Sequence, residues 1–133
     1  MRLKLVVVTP EKKVAETEAD SVELPGELGY VGILPGHAPM ITLVKTGVLS
    51  YRDGAQAEAF ALSSGFAEVS GDRISVLADL AEGRSQIDVA RAETDRSSAG
   101  EALKTASRES VEDLRAQLAL AEARLSVARR ARA

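Results

Sequence analysis

The chain has 133 residues, 45% of them hydrophobic and 28% charged, with a net charge of −3 and no cysteine. These values suit one globular domain, or a small domain with an appendage, and they argue against a nucleic-acid partner. They also exclude a disulfide framework and any thiolate-ligated metal.

The first predicted element is a strand, in which Leu3, Leu5 and Val7 alternate with Lys4 and Val6. Its apolar run Leu5-Val6-Val7-Val8 is too short for a signal-peptide core and lacks a small-residue cleavage site. No run in the chain reaches the ~18 apolar residues of a membrane span. A cytosolic protein with no direct membrane insertion is expected. Val22 and Leu24 then alternate around Glu23 as a second strand. The densest turn material follows, from Leu24-Pro25-Gly26 through Pro35-Gly36-His37-Ala38-Pro39. It contains no Gly-Lys-Ser/Thr and so is no phosphate-binding loop. It reads as connected tight turns, and in functional terms as a projecting contact surface with Tyr30 and Val31 at the tip. Further on, Val48 to Arg52 and Ala55 to Leu62 flank Asp53-Gly54, a pair suited to a hairpin turn. Phe66 to Val69 and Ile74 to Ala78 flank a second turn at Ser70-Gly71-Asp72-Arg73. Turns recurring about every ten residues suggest a sandwich or barrel.

Composition changes between Glu82 and Ser85. All four prolines and all four aromatic residues precede Gly83, and the remainder is rich in the helix formers Ala, Arg, Glu and Leu. The predicted organisation is a β-rich domain over 1–84 and a helical domain over 85–133. Ser85 is expected to cap the first helix, with Asp88 reaching back to the free amides, and Ser97-Ser98-Ala99-Gly100 to weaken or end it. Ser110 is a candidate cap of the second, with a start nearer Ser107 as the alternative. Val111, Leu114, Leu118, Ala121, Leu125 and Ala128 then form a one-sided seam, so the two helices should pack antiparallel. That seam is rich in alanine, and isolated helices of this length are marginal in water. The hairpin is therefore expected to be the mobile part of the molecule.

Catalytic chemistry has little to stand on. His37 has no neighbouring ligand or base and reads as a hydrogen-bonding turn residue. No nucleophile elbow is recognisable. Glu93 and Asp95 read as a solvated helix face, and no carboxylate pair suits acid–base work. A non-enzymatic protein is expected. Asp88 and Arg91 share a helix face and read as an exposed ion pair worth a few tenths of a kcal/mol. The chain closes on Arg124, Arg129, Arg130 and Arg132, with no acid after Glu122. Residues through Arg84 carry 8 basic and 12 acidic groups, or −4, and the rest carry 9 basic and 8 acidic groups, or +1. The basic end reads equally as a solvated helix terminus or as a docking face for an acidic partner.

The segment Gly32-Ile33-Leu34-Pro35-Gly36-His37-Ala38-Pro39 resembles the signature of the epsilon subunit of F-type ATP synthases. Val7-Val8-Thr9-Pro10, Ser64-Gly65-Phe66-Ala67-Glu68-Val69, Ile74-Ser75-Val76-Leu77-Ala78 and Leu125-Ser126-Val127 resemble further stretches of that family, in the same order. The resemblance implies a mixed β-then-α fold, a ten-stranded β-sandwich followed by an antiparallel two-helix hairpin. It implies a non-catalytic subunit of the rotating central stalk, at the cytoplasmic face of the bacterial inner membrane. There the sandwich would link the gamma subunit to the ring of c subunits and couple proton flow to ATP synthesis. Tyr30, Val31 and His37 fall among the implied contacts. Many members carry Gly-Glu-Leu-Gly where Gly29-Tyr30-Val31-Gly32 stands here. The hairpin would extend to the alpha and beta subunits and inhibit hydrolysis, with Arg115, Arg124, Arg129 and Arg130 facing acidic beta segments.

Some bacterial members bind ATP through an Ile/Leu-Asp-x-x-Arg-Ala motif, which Ile87-Asp88-Val89-Ala90-Arg91-Ala92 matches in full. By the resemblance, Glu82, Asp88, Arg91 and Arg124 would join that site. Leu120 stands where strong binders carry another arginine, and a lost charge-assisted contact costs roughly 1.5–3 kcal/mol. Weak regulatory ATP binding is the expectation, with no other cofactor. The alternative function is a stand-alone ATP-sensing module built on the same motif.

Overall fold

The computed structural model describes residues 2–130. Ten strands come first: β1 (Leu3–Val8), β2 (Lys13–Ala19), β3 (Ser21–Gly26), β4 (Gly29–Ile33), β5 (Met40–Val44), β6 (Gly47–Asp53), β7 (Gln56–Leu62), β8 (Gly65–Ser70), β9 (Arg73–Ala78) and β10 (Ala81–Gly83). A 3-10 turn at Arg84–Gln86 leads to two helices, α1 (Val89–Leu103) and α2 (Val111–Arg129). The β-then-α architecture expected from the sequence is the one observed.

The turn chemistry sets the hairpins. Gly54 (φ +63°) and Gly71 (φ +61°) take the left-handed conformation that the β6–β7 and β8–β9 turns require. The strands run in the order β10-β7-β6-β3-β5-β8-β9-β1-β2, with β4 paired to β3. Along β3, Ser21–Glu23 pair with Arg52–Ser50 of β6, while Gly26 pairs with Val44 of β5. The sheet path turns over at this point and closes into a sandwich. Period-two burial then follows from the pleat: in β8, Ala67 and Val69 point inward while Phe66 and Glu68 point outward. One core collects Leu3, Leu5, Leu24, Ile33, Leu49 and Ile74 with their neighbours, and every buried member of it lies on a strand.

Three local expectations are corrected. Tyr30 and Val31 are not at the tip of the glycine-rich hairpin. Gly26 pairs with Gly29, so Glu27 and Leu28 make the turn, and Leu28 is fully exposed. The sequence Gly-Glu-Leu-Gly thus does occur, at 26–29, and it turns the chain there. Ser85 does not cap α1. It lies in the 3-10 turn, and Asp88 is the cap, its Oδ1 accepting from the N–H of Arg91 at 3.1 Å. Ser97-Ser98-Ala99-Gly100 does not end α1, which continues to Leu103. Ala99 is buried, and packing there outweighs a glycine penalty of about 1 kcal/mol.

The seam of α2 faces α1 as its spacing predicts, with Ala121 and Leu125 buried. A second face of α2 was not anticipated. Ala123 and Val127 pack on Val48, Ala59 and Ala61 of β6 and β7, with Ile87 alongside. No residue of α2 before Ala121 is buried, so the helix is seated on the sheet by its last turns.

Candidate functional site

The last strand before the compositional boundary and the second helix meet at one ion pair. Glu82 lies on β10 opposite Ala61 of β7. Ala123 packs on that same Ala61, which brings the next residue, Arg124, over β10. The guanidinium then donates to the carboxylate twice, Nε to Oε1 at 2.6 Å and Nη2 to Oε2 at 3.1 Å. The two side chains are only 22% and 23% exposed, so this planar, charge-assisted pair is partly shielded from water.

A cleft of about 300 Å³ opens beside the pair, lined by Glu82, Gln86, Asp88, Arg91, Ala92 and Arg124. Five of the residues drawn together by resemblance therefore share one cavity. Ile87 does not line it and instead packs behind it in the apolar cluster under α2. Gln86 was missed, although its place three residues after Gly83 is the available signal: its Oε1 accepts the Gly83 N–H at 2.9 Å. The expected Asp88–Arg91 ion pair is absent. Asp88 is spent on the backbone cap, and the Arg91 Nε points toward Asp95 Oδ2 at 4.0 Å. The cleft thus holds two carboxylates and two guanidiniums, a formal balance of zero. Polyphosphate would find two cations there, one of them already paired with Glu82. Leu120 is half-buried on α2 and adds no charge.

The arginines of the back have separate partners. Arg129 pairs with Glu93 at 2.8 Å, joining α2 to α1, and Arg115 pairs with Glu112 at 3.7 Å within α2. Glu93 is therefore more than a solvated helix face. Arg130 makes no ion pair among the described residues, and Arg132 lies outside them.

The sandwich carries a contiguous apolar surface. Leu43 of β5 pairs with Phe66 of β8, which pairs with Leu77 of β9, and all three point outward. They are 45%, 55% and 51% exposed, and Ile41, two residues along β5, is 75% exposed. A cross-strand row of this kind is more than a scatter of single exposed residues. Val31 faces inward and packs against the core. Tyr30 uses its phenol oxygen internally, accepting the N–H of Val48 at 3.0 Å. His37 is a turn residue, as expected: its N–H donates to Leu34 O at 3.1 Å, and Nδ1 lies 2.7 Å from Ala38 O. Asp72, in the β8–β9 turn, accepts from the Gly36 N–H at 3.0 Å and ties this loop down.

Residues 2–84, the whole strand-forming region, match the family model of the ATP synthase delta/epsilon chain β-sandwich domain. The chain belongs to the ATP synthase delta/epsilon chain family. Relatives of the family extend the match over the helices. The ATP synthase epsilon chain of Syntrophobacter fumaroxidans is 43% identical over 129 residues, 96% of each chain. That of Desulfitobacterium hafniense is 42% identical over 127 residues, 94% of this chain and 95% of the other. That of Carboxydothermus hydrogenoformans is 49% identical over 92 residues, 69% of each. Among solved structures, a chain of the Euglena gracilis mitochondrial ATP synthase (OSCP/F1/c-ring) superposes with a TM-score of 0.82 at 17% identity, covering 96% of this chain and 81% of that one. A chain of the Tetrahymena thermophila central stalk and c-ring superposes with a TM-score of 0.53 at 13% identity, over 65% of this chain and 69% of that one. At such identities these two likenesses concern the fold alone.

Among the described residues no helix is long and apolar enough to cross a membrane.

Proposed function

We propose that this chain is the epsilon subunit of an ATP synthase central stalk, a non-catalytic adaptor with a regulatory hairpin. The observation that carries the reading is the outward apolar row of Leu43, Phe66 and Leu77 with Ile41, on a family member whose core is otherwise well closed. Its occupant in this reading is the gamma subunit, and the projecting β3–β4 hairpin contacts the ring of c subunits. The subunit then sits peripherally at the cytoplasmic face of the membrane and couples proton flow to ATP synthesis.

The hairpin supplies regulation. Seated on β6 and β7, it keeps Arg124 and Arg129 paired within the chain. Extended along gamma toward the alpha and beta subunits, it releases those cations, together with Arg115 and Arg130, to meet acidic beta segments and slow hydrolysis. The test is ATP hydrolysis by the assembled enzyme with this subunit intact and truncated after Gly83. A faster rate on truncation is expected, and an unchanged rate would remove the inhibitory role. Copurification of gamma with a Phe66→Asp variant tests the adaptor role separately, because retained gamma binding would discount the apolar row.

A second reading is favoured by the cleft at Glu82, Asp88, Arg91 and Arg124. ATP bound there would hold the hairpin in its seated state, since a ligand stabilises the conformation that binds it. The zero charge balance and Leu120 favour weak affinity. Calorimetry on the isolated chain is expected to give a dissociation constant near millimolar or weaker, and micromolar binding would contradict that.

A further inference from the structure

The end of the β3–β6 ladder leaves a hydrogen-bonding problem that Tyr30 solves. The β3–β6 ladder runs from Ser21↔Arg52 to Glu23↔Ser50 and stops there. Beyond it the carbonyl of Pro25, the acceptor β3 could offer next, is taken by the N–H of Lys45 at 2.8 Å. The N–H of Val48 is thereby left without a strand partner on the β3 side, on a residue only 5% exposed. A buried unpaired amide is costly, and nearly all find a partner. Here the partner is the Tyr30 phenol oxygen, at 3.0 Å.

The bond has a mechanical consequence. Tyr30 lies on β4, directly opposite Pro25 of β3, so its ring crosses β3 to reach β6. Gly47 makes room for it: a Cβ there would lie 2.9 Å from the hydroxyl and 3.0 Å from Pro25 Cβ. β4 pairs with no other strand than β3 among the described residues. A two-stranded hairpin held at one edge is marginal by itself. Two residues from Tyr30 stands Leu28, fully exposed at the tip, beside a groove of about 430 Å³ that includes Val31, Met40 and Thr42.

We propose that Tyr30 is the positioning residue of the β3–β4 hairpin: its hydroxyl bolts β4 to β6 and holds the Leu28 tip in one orientation for docking. The inference rests on the reading that this tip contacts the ring of c subunits. A fixed tip avoids the ordering cost that a loose one meets on binding. Tyr30 therefore acts on the partner through Leu28, with its hydroxyl turned to the sheet.

Tyr30→Phe removes one oxygen and keeps the ring. In the free chain it should speed amide exchange at Val48 and at Glu27–Val31, and leave β1 and β9 protected. Rebinding to the enzyme stripped of this subunit should weaken about threefold to tenfold, mainly through faster dissociation. Leu28→Ala should weaken it as well, and adding Tyr30→Phe to Leu28→Ala should cost nothing further. Gly47→Ala, which crowds the hydroxyl, should reproduce the Tyr30→Phe exchange pattern. Unchanged exchange at Val48 and the tip overturns the positioning role. Additive losses of affinity overturn it too, because the hydroxyl would then act independently of Leu28. If Leu28→Ala binds like the native chain, the docking reading falls, and Val48 exchange alone decides whether the hydroxyl holds the hairpin.

Discussion

At the scale of single residues, several side chains do work that their type does not announce. Glu16 sits between two lysines, Oε1 2.6 Å from Lys13 Nζ and Oε2 2.9 Å from Lys4 Nζ. The Lys13 hydrogen bond first, then that of Lys4, lowers its carboxyl from 4.5 to about 2. A carboxylate depressed on folding stabilises the native state above its unfolded value and loses that contribution as pH falls through the folded one. The Glu16 contribution is therefore complete above about pH 4.5 and gone near pH 2, and its place on the solvated surface keeps it small. Urea midpoints measured across that window should fall less steeply in Glu16→Gln than in the native chain, and parallel curves would refute the assignment. Gly65 is a steric case. A Cβ there would lie 1.9 Å from Leu77 O and 2.8 Å from Ala78 Cα, both of them backbone atoms with little freedom to yield. Gly65→Ala should cost about 3 kcal/mol in thermal or denaturant unfolding, at the upper end of overpacking effects. A melting temperature within a degree or two of the native chain would show that β8 and β9 can part without loss.

At the scale of elements, the Glu82–Arg124 pair and the small patch under Ala123 and Val127 hold the hairpin to the sandwich. Charge-assisted hydrogen bonds contribute roughly 1.5–3 kcal/mol, a large share of so small an interface. Arg124→Gln should therefore raise amide exchange along α2 while the strands stay protected. Glu82→Gln should do the same, and the double variant should lose less than the sum, since one interaction is removed either way. Equal exchange in native and variant α2 would mean that apolar contact alone seats the helix. The strands were legible in the sequence because alternation and turn residues report the pleat directly. Helix ends were less so. Ser85 and Asp88 are both good caps by type, and the choice of Asp88 depends on β10 running to Gly83 and the 3-10 turn that follows. The second buried face of α2 was hidden because Ala123 carries no periodic signal on an alanine-rich helix.

For the molecule as a whole, stability is expected to be uneven. The main core draws no buried residue from a helix, so the sandwich should survive truncation after Gly83 as a folded unit. Hydrogen exchange on the full chain should rank the strands as most protected, the last turns of α2 next, and α1 least, because α1 packs chiefly on α2. Protection of α1 equal to that of β9 would contradict a hairpin able to leave its seat. The hairpin, the element expected to move, is joined to the sandwich by a small apolar patch and one ion pair.

The sequence by itself determined the β-then-α order, the hairpin turns, the family and the motif that lines the cleft, because each rests on local pattern or on residue identity along the chain. Tertiary structure alone decided how those residues are used. It seated Arg124 on Glu82, moved Ile87 behind the cleft and turned the Tyr30 hydroxyl inward to Val48. The reason is the same in each case. A buried polar group must find a partner and a buried apolar face must find a surface, and for these residues both lay on distant strands that no local spacing identifies.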